Sequence, residues 1–594
     1  MNPCAEASDS VTIEILEPKG VLSNPKREGL SVPRLDTLSG KTIALMSIHV
    51  DDMDTFGSVL FFDILEEELR ARYPDIRFIR WPSFGSPNAV INADEIAASC
   101  DAWIEGVKDA ITQGRRDVGV YMERAGKPGV SICSEVLVRS KRALADLNGM
   151  PAARLVSVPA TAFCVAKRDP ERMKKVVAGA VDDLVKALTA PLTEEEKRSY
   201  AMEYDYSPKT FSGADYAEAY ENFLKYCEKN VLFDGLPVVP PTREAVEWML
   251  TGTSYPRDKV IGLMYPKSGI ATVEKIAISA VMAGARPEYL PVIITLVETI
   301  TAEDFNQFHI VNEILPIIFI SGPIIKELGL NNRVGYLAPG YRVNSTIGRA
   351  LLICMINIGW RDMTIYSAPG GPGRIGAYAN YLIVENQEES PWESWAEQNG
   401  YGPEESIITV CEATVELRGP AEVFSNATSE QKIDEISAMF SRKGQLFTRF
   451  GMPADARNVR HMIVLHPTMA HQIANAGFTK ESFIQYLYDQ NVIDYNKMTP
   501  EGRRKFLQEI SGENEEANSK MYVIRPEEFK PGFHREPFRT ADQVLIMVAG
   551  SGAGNVLAFQ TICGSTASNA EDVSKPRPYM SKVIRGAALT KYGR

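Results

Sequence analysis

The chain has 594 residues, 45% of them hydrophobic and 24% charged, with a formal net charge of −12. That length is too great for one ordinary core, so two or more domains are expected, with the composition of a soluble globular protein. The acidic balance, without a basic tract interleaved with aromatics, argues against a nucleic acid or an anionic membrane as partner.

Eight cysteines are scattered with no C-x-x-C pair, which removes the common zinc and thioredoxin signatures and any disulfide framework. Residues 1–6 lack a basic stretch followed by an apolar run, so no signal peptide is read. No apolar run reaches the roughly 18–20 uncharged residues of a membrane span. A cytoplasmic location is expected.

Residues 1–40 are polar, with Pro18, Pro25 and Pro33, and read as an arm on the body. From 41 to 190 the pattern alternates. Short apolar runs at 42–48, 76–81, 102–104, 130–133 and 155–158 read as buried strands. Segments 59–73, 93–99, 118–125, 134–147 and 173–188 read as helices; Leu60, Ile64, Leu65 and Leu69 share one face of the first. Such alternation means βαβ units and a parallel sheet, a flavodoxin- or Rossmann-like lobe. Ligands of these sheets bind outside the carboxyl ends of the strands. Cys133 falls at such an end, running into a helix N-terminus whose dipole favours thiolate. The same place suits a small buried thiol.

Four strings carry a resemblance here: Lys41-Thr42-Ile43-Ala44-Leu45, Cys100-Asp101-Ala102-Trp103-Ile104-Glu105-Gly106-Val107, Gly126-Lys127-Pro128-Gly129-Val130 and Leu155-Val156-Ser157-Val158-Pro159. They resemble the UGSC-motif family, named for a selenocysteine- or cysteine-Gly-Ser-Cys motif. The resemblance implies thiol chemistry just after Gly106-Val107. This chain reads Lys108-Asp109-Ala110-Ile111-Thr112-Gln113 there, with no cysteine. The resemblance thus implies a lobe kept for structure, or one using Lys108, Asp109 or Cys133 differently.

Residues 191–230 form a charged, tyrosine-rich connection with a helix over 214–228. The stretch from Leu232 to Thr242, with Asp234-Gly235 as a turn and Pro237, Pro240 and Pro241 stiffening it, reads as the seam between lobes, with Asp234 at a ligand cleft. From 231 to 594 a larger mixed α/β domain is expected. Its strands are read at 317–320, 363–366, 407–415, 462–465 and 543–549, its helices at 272–282, 290–301, 345–358, 431–442, 468–476 and 480–489. No internal repeat is read. The strings 234–242, 271–277, 282–289 and 385–392 resemble the larger domain that accompanies UGSC domains, a kinship that supplies no reaction.

Several groups here carry chemistry. Gly371, Gly373 and Arg374 belong to a G-x-G-x-x-G string, but Pro372 and the strand-like 381–384 fit a dinucleotide fingerprint poorly. A tight loop bringing Arg374 to an anion is the better reading. Gly550, Gly552 and Gly554 follow a strongly apolar strand and suit an anion cradle, without the Walker lysine. Cys563, beside Gly564 and Ser565, has donors for a thiolate. His466, at a strand end, is a candidate general acid/base, and Pro467 is read as breaking any helix that would join it to His471. Glu385, Glu388 and Glu389 form an oxygen-rich string read as a solvated acidic turn, and no metal or cofactor is assigned.

The expected function is a small-molecule enzyme of thiol-assisted redox or carbon–heteroatom lyase type acting on an anionic metabolite, with Cys563 or Cys133 as nucleophile and His466 as acid/base. The alternatives are a non-catalytic partner subunit and a cofactor-independent racemase-like isomerase. A homo- or hetero-oligomer is expected.

Overall fold

The computed structural model describes residues 10–47, 58–82, 93–108, 117–160, 169–302, 305, 315–362, 381–413, 415–421, 428–438, 459–512, 528–538, 541, 544–552, 555–562 and 579–587.

The arm contributes three strands: β1 (Val11–Ile15), β2 (Val21–Leu22) and β3 (Lys26–Arg27). The first lobe follows with β4 (Thr42–Ser47), β5 (Arg77–Pro82), β6 (Ala102–Lys108), β7 (Gly129–Ser134) and β8 (Leu155–Val158). All neighbours pair in parallel in the order β5-β4-β6-β7-β8. Counted along the lobe this is 2-1-3-4-5, the flavodoxin-like order. Every residue of β7 is buried, as a strand covered on both faces requires. Helices Ser58–Arg72 and Pro170–Thr189 cover one face through Phe61, Leu65, Val177 and Leu184. Ala93–Ser99 and Val118–Arg124 lie on the other face, over Trp103 and Met46.

The connection carries β9 (Tyr200–Ala201), β10 (Lys209–Gly213) and the helix Tyr216–Lys229. The arm is stitched to it: β1 pairs with β10 and β3 with β9, both antiparallel. The hairpin β11 (Val260–Met264) and β12 (Gly269–Thr272) takes β2 on its edge. Between these pairings Glu17 and Lys19 are buried. Glu17 accepts from Tyr204 (2.9 Å) and Tyr226 (3.0 Å) through both carboxylate oxygens. Lys19 Nζ donates to Val231 O at 3.1 Å and stands over the Trp360 ring. Val231 and Trp360 are both held at positive φ, an uncommon state for such side chains. The tyrosines at 204, 220 and 226 are thus packing residues with satisfied polar tips, Tyr220 donating to Val238 O at 3.0 Å.

Beyond the seam, Thr242 caps Arg243–Leu250 and Thr272 caps Val273–Met282, each accepting an amide hydrogen three residues on. Val273–Met282 is apolar nearly all round because Arg243–Leu250, Leu290–Ile300 and Arg342–Asn357 surround it. Each fully buried Ile, Leu or Val in this layer contributes about 1.5–3 kcal/mol of burial.

Eight strands form the centre of the larger domain. Sheet one holds β13 (Leu315–Ser321), β14 (Tyr381–Val384), β15 (Ile407–Ala413) and, in spatial order β14-β13-β15, the distant β22 (Tyr579–Val583). Sheet two holds β16 (Val415–Ala421), β17 (Val459–Leu465), β20 (Val544–Val548) and β21 (Asn555–Ile562), in the order β16-β21-β17-β20. The minor pair β18 (Ile493–Asp494) and β19 (His534–Arg535) stands apart. One face of sheet one packs on the helices through Ile318, Ile320, Leu382, Val384, Ile408 and Val410. Its other face, with Ile317, Phe319 and Ile383, meets Met462, Val464, Leu545 and Met547 of sheet two. The far face of sheet two packs on Ser429–Ala438, Pro467–Asn475 and Lys480–Asn491. Helices, sheet, sheet and helices make four layers.

The two sheets share a strand plan that no sequence repeat announces. In sheet one β13 pairs in parallel with β14 and antiparallel with β15, which pairs antiparallel with β22. In sheet two β17 pairs in parallel with β20 and antiparallel with β21, which pairs antiparallel with β16. The two quartets share one plan, with their last strands exchanged: β16 leaves β15 for the second sheet, and β22 leaves β21 for the first. A helix start also moved. Arg342–Asn357 begins three residues before the expected Ser345, its N-cap Tyr341 lacking a side-chain acceptor that would mark it. No described helix is long and apolar enough to cross a membrane.

Candidate functional site

In the larger domain the carboxyl ends of two parallel pairs, β13/β14 and β17/β20, come together. Asn386, just after β14, donates its amide to Val548 O (2.8 Å) and its side chain to Gly550 O (2.7 Å). Gly550 N donates to Asn332 O at 2.9 Å, and Asn332 returns a bond to Glu385 O at 3.1 Å. Two asparagines thus fasten the glycine turn after β20. Gly550 and Gly552 both have positive φ, 87° and 63°, where a side chain would be strained.

His466 follows β17 and is the N-cap of Pro467–Asn475. Pro467 therefore opens this helix at N1, where its missing amide costs nothing, and does not break it. The buried His466 ring places Nδ1 3.0 Å from Gly552 O and 3.3 Å from Met469 N. Nδ1 cannot serve both partners at once: with a lone pair it accepts the Met469 amide hydrogen as the helix cap, and as N–H it donates to Gly552 O. Thr468 Oγ1 donates to the same carbonyl at 2.8 Å. The sequence-predicted His466, Gly550 and Gly552 are thus one cluster.

Beside it lies a buried polar set around Glu385, which the sequence reading had put in a solvated acidic turn. Glu385 accepts from Ser321 Oγ and, at 2.8 Å, from Trp395 N. Burial pushes its carboxyl above the usual range, Ser321 and Trp395 working against that. Burial pushes the Lys480 amine down to about 8, with Glu385 opposing. Lys480 Nζ donates to Glu393 O at 3.2 Å. Paired groups driven toward neutrality mark functional sites more often than chance. The string 385–389 does not converge as one oxygen cluster, because Glu388 and Glu389 turn outward to Arg333.

The other predicted residues lie elsewhere. The Asp234 side chain is buried at the seam and clamped by Arg349, Nε to Oδ2 at 2.8 Å and Nη2 to Oδ1 at 2.9 Å. Both carboxylate oxygens are occupied by a side chain of the same domain. Cys133 lies inside β7, 2% exposed, and burial pushes its thiol up to about 11, Lys141 pulling it down and Glu105 adding to the rise. Lys141 Nζ lies 3.0 Å from Asp117 Oδ2 and 3.3 Å from Glu105 Oε2. Burial alone would lower the Lys141 pKa, but the two carboxylates hold it above the ordinary value. Gly371, Gly373, Arg374, Gly554, Cys563 and Asp109 lie outside the described residues.

The model of the UGSC family matches residues 14–190. The match opens within β1 and so takes in most of the arm as well as the parallel-sheet lobe. No curated protein and no solved structure matches the chain.

Proposed function

We propose that the chain is an enzyme acting on a small anionic metabolite at the turn between β20 and β21, with His466 as general acid/base. The observation that carries this reading is the contact of His466 Nδ1 with Gly552 O at 3.0 Å. It sets the imidazole against a glycine turn at the carboxyl ends of parallel strands. A redox or carbon–heteroatom lyase reaction with thiol assistance remains the class we favour, with Cys563 as the thiol. Cys133 suits that role less, since a buried thiol near 11 stays protonated at neutral pH.

The test is a panel of short organic acids and phosphate esters, screened against the full chain by thermal shift, with hits followed for conversion by NMR. His466→Asn keeps a donor near the Nδ1 position and removes Nε2. The variant should fold and bind as the wild type does while turnover falls about 10²–10⁴-fold. Turnover unchanged in His466→Asn would refute the assignment.

A further inference from the structure

The parallel sheet of the first lobe ends at β8, and the outer edge of β8 is bare. Ser131 N donates to Arg154 O at 3.1 Å, with Ser131 opposite Leu155 and Cys133 opposite Ser157. That register turns the backbone groups of Val156 toward β7 and those of Leu155 and Ser157 away from it. Among the described residues, the outward N–H and C=O groups of Leu155 and Ser157 have no partner. The opposite edge, β5, carries Arg77 and Arg80, charges of the kind that discourage a further strand. Leu155–Val158 carries no charge.

A cavity of about 600 Å³ lies along this bare edge. The helix Pro170–Thr189 walls one side of it, and Val138–Leu147, through Arg142, the other. Arg142, Arg154 and Lys186 line it together with Asp183, Glu195 and Glu196, so it has no net charge and favours neither a polyanion nor a polycation. Arg154 is spent within the lobe. It pairs with Glu196 at 2.8 Å and donates to Ala187 O at 2.7 Å and Ala190 O at 2.9 Å. These bonds put the end of the helix beside the start of β8, so the helix runs antiparallel to the strand. Lys186 therefore stands toward the start of β8 and Asp183 one helical turn further along it. Among the described residues neither side chain is in an ion pair.

We propose that β8 pairs with β8 of a second copy of this chain, antiparallel about a two-fold axis at Val156, joining two five-stranded sheets into one. Leu155 of each copy then exchanges both backbone bonds with Ser157 of the other. The axis reverses the helix direction across the interface and sets Lys186 of each copy against Asp183 of the other. Balanced charge, with opposite signs one turn apart, is what a surface needs to complement itself across a two-fold.

The mass of the full-length protein is measured by light scattering over a concentration series, and a dimer is expected. Ser157→Pro removes an outward amide and no bond to β7, so it should keep the melting temperature and weaken the dimer about tenfold or more. Asp183→Lys and Lys186→Asp each set like charges together and should each weaken it about tenfold. The double variant restores opposite signs across the axis and should return the dimer to near wild-type strength. These charge variants decide the matter if Ser157→Pro does not fold. A monomeric wild type, a dimer unchanged by Ser157→Pro or by the single reversals, or a double variant as weak as the singles overturns the proposal. A monomer that takes a small molecule or an unrelated peptide along β8 overturns it too.

Discussion

Arg349 and Asp234 hold the seam to the larger domain, and the pair gives a quantitative test. The Asp234 side chain is 2% exposed and that of Arg349 17%. The guanidinium grips both carboxylate oxygens and also donates to Leu236 O (3.1 Å) and Pro237 O (3.0 Å). Arg349→Met removes these bonds and leaves a buried, unpaired carboxylate. Breaking such a pair costs about 3–5 kcal/mol, most of it from the stranded charge. At about 2.1 cal/mol/K of unfolding entropy per residue, a unit of about 360 residues loses roughly 1.3 °C per kcal/mol, so the melting temperature should fall by about 4–7 °C. Arg349→Lys keeps the charge and loses the planar fork, so about half of the loss should remain. Asp234→Asn combined with Arg349→Met removes the stranded charge and should recover much of the stability of Arg349→Met alone. Differential scanning calorimetry of the four proteins reads this cycle. A drop below about 1 kcal/mol in Arg349→Met would show that Asp234 reaches water or another cation, and the clamp would be no seam anchor.

Two further outcomes follow from buried groups. Burial pushes Lys19 down to about 8, with Glu17 and Asp362 opposing and Lys267 adding to the fall. Between pH 8 and 10.5 the unfolded chain binds more protons than the folded one, so this group makes stability rise with pH across that window by about 3 kcal/mol. Lys480 acts in the same direction and stays in both proteins compared. Lys19→Met should therefore flatten the rise in urea midpoint between pH 8 and 10.5 relative to wild type, and parallel curves would refute the burial assignment. Cys100, Cys133, Cys227, Cys354 and Cys411 are buried and in no disulfide. Native-state iodoacetamide labelling at pH 7 with peptide mapping should spare all five, and modification of Cys133 would mean that β7 opens.

The first lobe was readable because a buried strand is a local pattern. Ala93–Ser99 and Leu155–Val158 fall where their apolar runs end, and the other strands differ by one to four residues. His466 at the end of β17 and the glycines after β20 were each legible for the same reason, since the two strands announce themselves. Their adjacency was not legible, because parallel pairing across some 80 residues leaves no mark in either segment. The paired plan of the larger domain was hidden more deeply. Ile320 lies opposite Val384 and Leu465 opposite Val548, so Ser321 answers to His466 and Glu385 to Ala549, and the positions that correspond carry unlike chemistry. Glu385 itself was read as part of a solvated string because four neighbouring residues are polar. Glu385 turns inward to Ser321 and Trp395 and Asn386 to Gly550, and sequence spacing alone does not say which members of the string do so. Pro467 was read as a breaker because proline opens helices as readily as it ends them, and only the N-cap geometry of His466 decides.

The exchanged strands set an order on biosynthesis. β15 leaves the ribosome with its outer edge bare, because its partner there, β22, lies about 170 residues further along the chain. Through that interval Ile407–Ala413 presents unpaired backbone groups on an apolar strand, a template for pairing with another nascent copy. Residues 579–583 therefore act as a closing clasp: a transcript cut short before them strands the first sheet one member short, however complete its own segment is. Dependence of the nascent chain on holding factors, and aggregation of C-terminal truncations that keep every residue around His466, are the cellular signature of that arrangement.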